Sequence, residues 1–169
     1  MLLRVMFQMI TKVLEFRPAI CKLLNKERYS LTLFEFQVPD LSYKGRRYKK
    51  PVLRFDALGC SVFRIATTSP IRIIETKSCR EDFLRDDKWK KYVEYGTQFA
   101  FAAPRGIISP KELPLGIGLF EYSAGQLTKI KEWNVREIDA AHRAAVAARI
   151  HSRAVALLLQ KAKKEFVVL

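Results

Sequence analysis

The sequence predicts an α/β fold in which a central mixed β-sheet is flanked by helices. Three observations lead to this class. Short runs of β-branched and aromatic residues fill the middle of the chain, apolar residues recur at helical spacing near both ends, and a further helical stretch separates two strands. The expected order is helix, three strands, helix, strand, hairpin and helix. A helix between strands is typical of a parallel crossover, whereas hairpins add antiparallel pairs.

Composition sets limits on size and partner. A chain of 169 residues with 49% hydrophobic residues is expected to form one domain over residues 1–169 with its own core. Lysine and arginine number 31 against 17 aspartate and glutamate, a net charge of +14. This excess indicates an anionic partner, nucleic acid before membrane, with DNA expected and RNA as the alternative. An ordinary solvated basic surface is the competing interpretation.

The metal-binding and redox residues are sparse. Cys21, Cys60 and Cys79 are odd in number, widely spaced and without a C-x-x-C pair, so neither a zinc site nor a disulfide framework is expected. Reduced thiols fit a cytoplasmic protein. His142 and His151 have no spacing typical of a ligand pair. No apolar run is long enough to span a bilayer, so no membrane association is expected.

The N-terminal helical segment is predicted at about residues 1–27, because apolar residues recur at helical spacing from Leu2 to Glu15. Pro18 is expected to end or restart the helix. An apolar face then continues along Ile20, Leu23 and Leu24. The helix is expected to pack against the sheet with its basic residues in solvent, and direct DNA contact is the alternative.

The first strand is predicted from Tyr29 to Val38. Alternation places Leu31, Leu33, Glu35 and Gln37 on one face, and Thr32, Phe34, Phe36 and Val38 on the other. Glu35 is unusual as an acid among apolar neighbours. It is either a further carboxylate near a metal site or an edge residue facing water.

A basic hairpin tip follows, because the stretch from Lys44 to Pro51 carries five cations, a glycine and Tyr48. Cations held so close together repel, and a phosphate backbone would neutralise them. The predicted phosphate contacts are Arg46, Arg47, Lys49 and Lys50. Tyr48 could stack on a base. The alternative is a solvated turn.

Two further strands, from Val52 to Gly59 and from Ile71 to Lys77, are the centre of the sequence. Glu75 and Lys77 are two residues apart, so both side chains leave the same face of a strand. If the strands pair as a hairpin, Asp56 lies beside Glu75.

Two carboxylates this close repel each other unless one takes up a proton or a cation binds. A hard divalent cation such as Mg²⁺ prefers such oxygen ligands. The neighbouring lysine can steady developing negative charge, or orient and deprotonate an attacking water. The arrangement predicts metal-assisted hydrolysis of a phosphodiester, with Asp56 and Glu75 holding the metal.

These residues also carry a family resemblance. Asp56 followed by Glu75-Thr76-Lys77 resembles the D…(D/E)-x-K signature of the PD-(D/E)xK nuclease superfamily. The continuation Lys77-Ser78-x-x-x-Asp82-Phe83-x-x-Asp86-x-Lys88-Trp89-x-x-Tyr92 is similar to the MmcB-like DNA-repair proteins within it, and the similarity runs from about Pro18 to Trp133. One departure is Phe55, which stands where the signature has proline.

The resemblance implies a restriction-endonuclease-like core and a Mg²⁺- or Mn²⁺-dependent deoxyribonuclease, endonuclease before exonuclease. Asp56, Glu75 and Lys77 would be catalytic, and the Thr76 backbone carbonyl would join the two acids around the metal. Two rival hypotheses are a non-catalytic nucleic-acid-binding module that keeps the nuclease fold, and a structural protein whose three residues form a salt-bridge network.

A helix from Arg80 to Tyr95 is predicted next, with Ser78 as its N-cap. Its broad apolar face would carry Leu84, Trp89, Tyr92, Val93 and Tyr95. Arg85 and Lys88 fall within the same arc. They would make sense beside phosphate oxygens in the metal cleft, and the alternative is that both extend to solvent. Lys88 and Tyr92 are the candidates from this helix for nucleic-acid binding.

The remaining elements are a buried strand from Gln98 to Pro104, a hairpin formed by Gly116–Tyr122 and Gln126–Trp133, and a long basic C-terminal helix at about residues 135–165. Asn134 with Glu137 predicts a capping box at the start of that helix. The predicted core face carries Ile138, Ala141, Ala145, Ala148, Val155 and Leu159. Ile150 and Leu157 interrupt the polar side, which would fit a partner surface or a homodimer contact. The ordinary interpretation is a helix docked on the core with a solvated basic back.

Overall fold

The computed structural model of the protein describes residues 15–45, 51–61 and 65–166, with the backbone alone described at 157, 158 and 160–166. The helices are α1 over residues 15–26, α2 at Arg80–Arg85, α3 at Trp89–Tyr92 and α4 at Ala140–Phe166. The strands are β1 Leu31–Pro39, β2 Val52–Cys60, β3 Ile71–Thr76, β4 Gln98–Pro104, β5 Ile117–Ser123 and β6 Gln126–Lys131. No helix of these described ranges is both long and apolar enough to cross a bilayer.

The described strands form a six-stranded mixed sheet in the order β1-β2-β3-β4-β5-β6. The pairs β1–β2, β2–β3 and β5–β6 are antiparallel, whereas β3–β4 and β4–β5 are parallel. The α/β class with helices flanking a mixed sheet is therefore confirmed. The connection between the parallel strands β3 and β4 contains α2 and α3, as expected for a crossover connection.

The first face of the sheet is covered by α1, through the buried side chains of Phe16, Ile20 and Leu24. Small residues on the strands let the helix approach closely. At Gly59 of β2, an added Cβ would lie 2.7 Å from Leu24 Cδ2, so a larger residue would push α1 away. The helix continues through Pro18, so the predicted break there is wrong. The predicted part of this segment before residue 15 lies outside the described residues.

The second face is covered by α2, α3 and α4. An aromatic layer joins strands to helices, in which the ring of Phe55 lies 5.1 Å from that of Tyr92 and 5.8 Å from that of Tyr95. Phe99 and Phe101 of β4 extend the layer under Trp89. This face carries the candidate site, since residues of α2 and α3 border a cleft together with the first half of β2 and the end of β3.

The alternation predicted for β1 is wrong beyond Phe34. Phe36 and Val38 lie in the same core layer as Leu33, whereas Phe34 packs on the α1 side. The physical reason is Glu35, whose φ of 51° is a left-handed backbone conformation. It rotates the chain, and the strand changes faces there while keeping its register with β2.

The single helix predicted from Arg80 to Tyr95 is two short helices with a break. Asp86 has an extended backbone, with φ −88° and ψ 108°. Its Oδ1 accepts the backbone N–H of Lys88 at 2.8 Å, and its Oδ2 accepts the ammonium of Lys77 at 2.6 Å. A carboxylate bonded in this way competes with helix continuation.

The start of α2 also differs from expectation. Cys79 occupies the N-cap position, and Ser78 instead donates its backbone N–H to Asp82 Oδ2 at 3.2 Å. Leu84, predicted to face the core, is 64% exposed. The break after Arg85 separates Leu84 from the core-facing residues of α3, so one continuous apolar stripe does not form.

The last helix begins later than the capping-box pattern predicts. Residues 132–139 are extended or irregular, and α4 starts at Ala140. Asp139 acts as its cap, because Oδ1 accepts the backbone N–H groups of Ala141 and His142 at 2.8 and 3.0 Å. The ring of His142 packs edge-on against Tyr95.

The face that α4 turns toward the core is centred on Val146, Ala147 and Ile150. The predicted core face is wrong for Ala141, Ala148, Val155 and Leu159, which are exposed, whereas Ile138 and Ala145 do pack partly against the core. Ile150 is 3% exposed and therefore no evidence for a partner surface. The side chain of Leu157 lies outside the described residues, and a homodimer remains a prediction.

Candidate active site

A cleft of about 590 Å³ lies between β2, β3 and the α2–α3 break. The register of the β2–β3 hairpin pairs Ala57 with Ile74, so Asp56 and Glu75 follow on opposite strands. The acidic residues that line the cleft are Asp56, Glu75, Asp82 and Asp86. The cationic residues that line it are Arg54, Lys77, Arg85, Lys88 and Lys91. The structure thus brings together the three residues predicted to be catalytic.

Asp56 is oriented by the residue between the other two. Its Oδ2 accepts the backbone N–H of Thr76 at 2.8 Å and the Thr76 hydroxyl at 2.6 Å. Burial raises the pKa of Asp56, while these two hydrogen bonds act in the opposite direction. Thr76 is therefore a positioning residue for Asp56. Its predicted carbonyl contact with a metal remains a prediction.

Glu75 is a buried carboxyl group with one oxygen unpartnered. Its Oε1 lies 3.2 Å from Lys77 Nζ, and its Oε2 has no hydrogen-bond partner within the described part of the chain. Burial, and then repulsion from Asp56, raise the pKa of Glu75 to about 8, although the charge of Lys77 opposes the shift. A buried carboxyl oxygen without a hydrogen-bond partner lowers the stability of the folded protein, and a ligand bound at that oxygen would offset the loss.

Lys77 is held between two acids. Its Nζ lies 2.6 Å from Asp86 Oδ2 and 3.2 Å from Glu75 Oε1, and the side chain is 4% exposed. Burial works against the ammonium, but Glu75 and Asp86 outweigh it and raise the pKa of Lys77. Lys77 is therefore charged at neutral pH and shares a face with Glu75 as predicted.

Asp86 is a site residue that the sequence analysis did not select. It appeared there only within the family motif, as the aspartate two residues before Lys88. A second signal was the pair Asp86-Asp87 in the middle of a supposed helix, since aspartate competes with helical hydrogen bonds. Its side chain lines the cleft and contacts Lys77 directly.

The acids of the cleft fit a hard divalent cation. Asp56 and Glu75 supply two carboxylates from adjacent strands. Glu75 Oε2 is buried and has no hydrogen-bond partner among the described residues, so it is able to coordinate a cation. In residues 15–45, 51–61 and 65–166, no group of three or more Asp, Glu, His or Cys side chains is arranged to enclose an ion. Mg²⁺ suits this donor set, because it usually takes one or two carboxylates and completes its shell with water and phosphate oxygens.

The residues predicted to bind nucleic acid have different positions. Lys88 is exposed and lines the cleft. Arg85, which was considered with it but not selected, and Lys91, which was not considered, are exposed and line the cleft as well. Tyr92 also lines the cleft but is 5% exposed, so it belongs to the wall rather than to the open surface. The predicted contacts Arg46, Arg47, Lys49 and Lys50, and the stacking residue Tyr48, lie outside the described residues.

Glu35 lies beside the cleft on the edge strand rather than in its lining. Its carboxylate pairs with Arg17 at 3.4 Å and with Arg54 at 3.1 Å. Of the two alternatives in the sequence analysis, the edge position is the observed one. Its partner Arg54, however, does line the cleft.

Comparison with solved structures supports the fold. A protein of unknown function from Silicibacter pomeroyi, SPO1766, aligns with a TM-score of 0.57 and 22% sequence identity, over 83% of this chain and 84% of its own. The comparison with curated proteins found no match.

A protein-family comparison gives the relationship. The model of the MmcB-like family, described as DNA repair protein MmcB-like, matches residues 59–165, more than half of the 169 residues. The matched range contains Glu75, Lys77 and Asp86 and starts just after Asp56. The chain therefore belongs to the MmcB-like DNA repair protein family.

Proposed function

We propose that this protein is a Mg²⁺- or Mn²⁺-dependent nuclease of the PD-(D/E)xK type that hydrolyses phosphodiester bonds in DNA during repair. The observation that carries the proposal is the meeting of the half-buried Asp56 with the buried Glu75 and Lys77 in one cleft, with Glu75 Oε2 unpartnered among the described residues. Membership in a DNA repair family supports DNA as the substrate.

In this proposal Asp56 and Glu75 hold the cation, with help from the Thr76 backbone carbonyl. A bound divalent cation supplies Lewis acidity toward the phosphate oxygens. The hydrogen bonds from Thr76 keep the Asp56 carboxylate aimed in one direction before anything binds. Such preorganisation lowers the cost of assembling the site.

Lys77 acts through its charge and position. It already carries a proton at neutral pH, so it cannot take one from water until it loses its own. Its ammonium is suited to orienting the attacking water and to steadying negative charge on the phosphate. In hydrolysis the water oxygen bonds to phosphorus and one phosphorus–oxygen bond to the sugar breaks. The attacking water gives a proton to solvent, and the departing sugar oxygen takes one up from solvent.

The rim cations would place the substrate. Arg85 and Lys88 are exposed at the cleft, one on each side of the α2–α3 break. Exposed cations at this position would contact phosphates on either side of the bond to be cut. This gives the cleft affinity for a backbone without any preference for base sequence.

The test is incubation with closed-circular plasmid and with single- and double-stranded oligonucleotides, in Mg²⁺, Mn²⁺ or EDTA. Metal-dependent cleavage of the closed circle is expected, because an endonuclease needs no end. Asp56→Ala, Glu75→Ala and Lys77→Ala should abolish cleavage and largely retain DNA binding.

Asp87→Ala is the matched control, since Asp87 is exposed and pairs with the exposed Lys90. It should cut like the parent protein. DNA binding without products from the parent protein would instead establish a binding module that keeps the fold. Thermal unfolding of each variant separates lost chemistry from lost structure.

A further inference from the structure

We propose that DNA held at the cleft continues across the edge strand β1 onto α4, where Arg149 and Arg153 contact the phosphates of a duplex. The inference rests on the proposed function for its partner, because it takes DNA as the molecule in the cleft. It adds a second binding surface, which we call the β1–α4 groove.

The β1–α4 groove is a built feature of about 410 Å³. Its lining includes Glu35, Phe36 and Gln37 from β1, and Arg149, Ser152 and Arg153 from α4. The two arginines are four residues apart, so they lie on the same side of the helix one turn from each other.

Each arginine is anchored by one nitrogen and exposed elsewhere. Arg149 Nε donates to the Gln37 carbonyl at 3.1 Å, and Arg153 donates from one terminal nitrogen to the Phe34 carbonyl at 3.0 Å. An arginine carries five N–H donors, so further donors remain on each guanidinium. Anchored arginines lose less conformational entropy when they bind phosphate, which favours them as contacts.

One ion pair links a residue of the groove to a residue of the cleft. Arg54 lines the cleft, Glu35 lines the groove, and Arg54 Nε lies 3.1 Å from Glu35 Oε2. Arg17 pairs with the same carboxylate. Two arginines therefore pair with Glu35, and Arg149 and Arg153 line the groove beside it, a charge pattern that complements a polyanion passing from one depression to the other.

Side-chain exposure in the described part of the chain favours contact with a phosphate backbone over base stacking. Every Phe, Trp and Tyr whose side chain the structure describes is buried or half-buried. Single-strand binding sites usually add exposed aromatic side chains on which bases stack. The described surface instead offers cations, which suit backbone contact.

The experiment measures binding to a short DNA duplex by fluorescence anisotropy at a series of salt concentrations. EDTA is present so that no cleavage occurs. Arg149→Gln with Arg153→Gln should weaken binding about tenfold and lower the slope of log affinity against log salt by about 2, since each phosphate contact contributes about 0.9. Arg149→Lys with Arg153→Lys keeps both charges and should retain most of the slope.

Lys22→Gln with Lys26→Gln is the matched control. These exposed lysines are also four residues apart on a helix, but they lie beside β6 at the opposite edge of the sheet. They should leave the slope unchanged. An equal loss in both glutamine pairs, or no loss in the arginine pair, overturns the proposal.

A variant that is expected to strengthen binding still tests the proposal if the double arginine variant fails to fold. Glu35→Gln removes the one carboxylate among the described residues that line the groove with Arg149 and Arg153, and it should tighten duplex binding and steepen the slope. Weaker binding with unchanged thermal stability would contradict the proposal. The two proposals fail separately. If the parent protein cleaves DNA but the arginine variants keep the parent salt slope, the nuclease proposal stands and the groove proposal fails. If the arginine variants lose slope but the parent protein does not cleave DNA, the groove proposal stands and the nuclease proposal fails.

Discussion

Lys77 Nζ lies 2.6 Å from Asp86 Oδ2, and this contact joins the end of β3 to the break between α2 and α3. Both side chains are nearly buried, at 4% and 11% exposure. The residue that interrupts the helical layer is therefore also the one that holds the candidate catalytic lysine. The side chain of Asp86 therefore takes part both in the helix break and in the candidate site.

Replacing Asp86 with asparagine should slow cleavage roughly 10- to 100-fold, the usual effect of losing a residue that orients a catalytic group. Lys77 would keep Glu75 as a partner but lose its shorter contact. The free energy of unfolding should fall by about 1.5–3 kcal/mol, the usual contribution of a hydrogen bond to a charged group. Initial cleavage rates and urea unfolding measure the two effects.

Asp87→Asn is the control for that variant, because the neighbouring Asp87 is exposed. It should change neither quantity appreciably. DNA binding in EDTA should survive in both variants. If Asp86→Asn cleaves at the parent rate, the contact with Lys77 has no role in the reaction.

Glu75 should make stability depend on pH in the metal-free protein. Its pKa rises from 4.5 to about 8 on folding. Between these values the folded protein keeps a proton that the unfolded chain has released, so stability falls as pH rises through this window. Glu75→Gln cannot titrate, so it should flatten this dependence and be more stable than the parent protein above about pH 8.

Urea unfolding in EDTA across this pH range is the measurement. Glu137→Gln, at an exposed position, serves as the control and should follow the parent curve. A Glu75→Gln curve parallel to the parent curve would show that Glu75 is ionised in the folded protein throughout the window.

Protons and a divalent cation should compete for Glu75. Mg²⁺ or Mn²⁺ should therefore raise the melting temperature more at about pH 8.5 than at about pH 6, because ligand binding to the folded state stabilises it. Asp56→Asn should remove most of this stabilisation. Differential scanning fluorimetry checks both points, and stabilisation that persists in Asp56→Asn would place the cation elsewhere.

The basic stretch before β2 gives a prediction from sequence alone. Reversing the charges of Arg46, Arg47, Lys49 and Lys50 should flatten the salt dependence of DNA binding, since counterion release scales with the number of phosphate contacts. The measurement is the same anisotropy titration in EDTA. An unchanged slope would assign these four residues to an ordinary solvated turn.

The candidate site was largely accessible from sequence because its geometry is local. Antiparallel pairing of β2 with β3 places Asp56 opposite Glu75, and the two-residue period of a strand places Lys77 on the face of Glu75. Asp86 was harder to place. Its role depends on a helix break, and propensity over a short window does not detect a break stabilised by a contact with another element.

The sequence by itself determined the order of the elements, the mixed sheet, the basic character and the trio Asp56, Glu75 and Lys77, because periodicity and charge are written along the chain. Only the tertiary structure decided three features: the break at Asp86, the change of face at Glu35 and the side of α4 that meets the core. Each involves contacts between different elements, such as Lys77 with Asp86 or Arg153 with the Phe34 carbonyl, and such contacts exist only once the layers have packed.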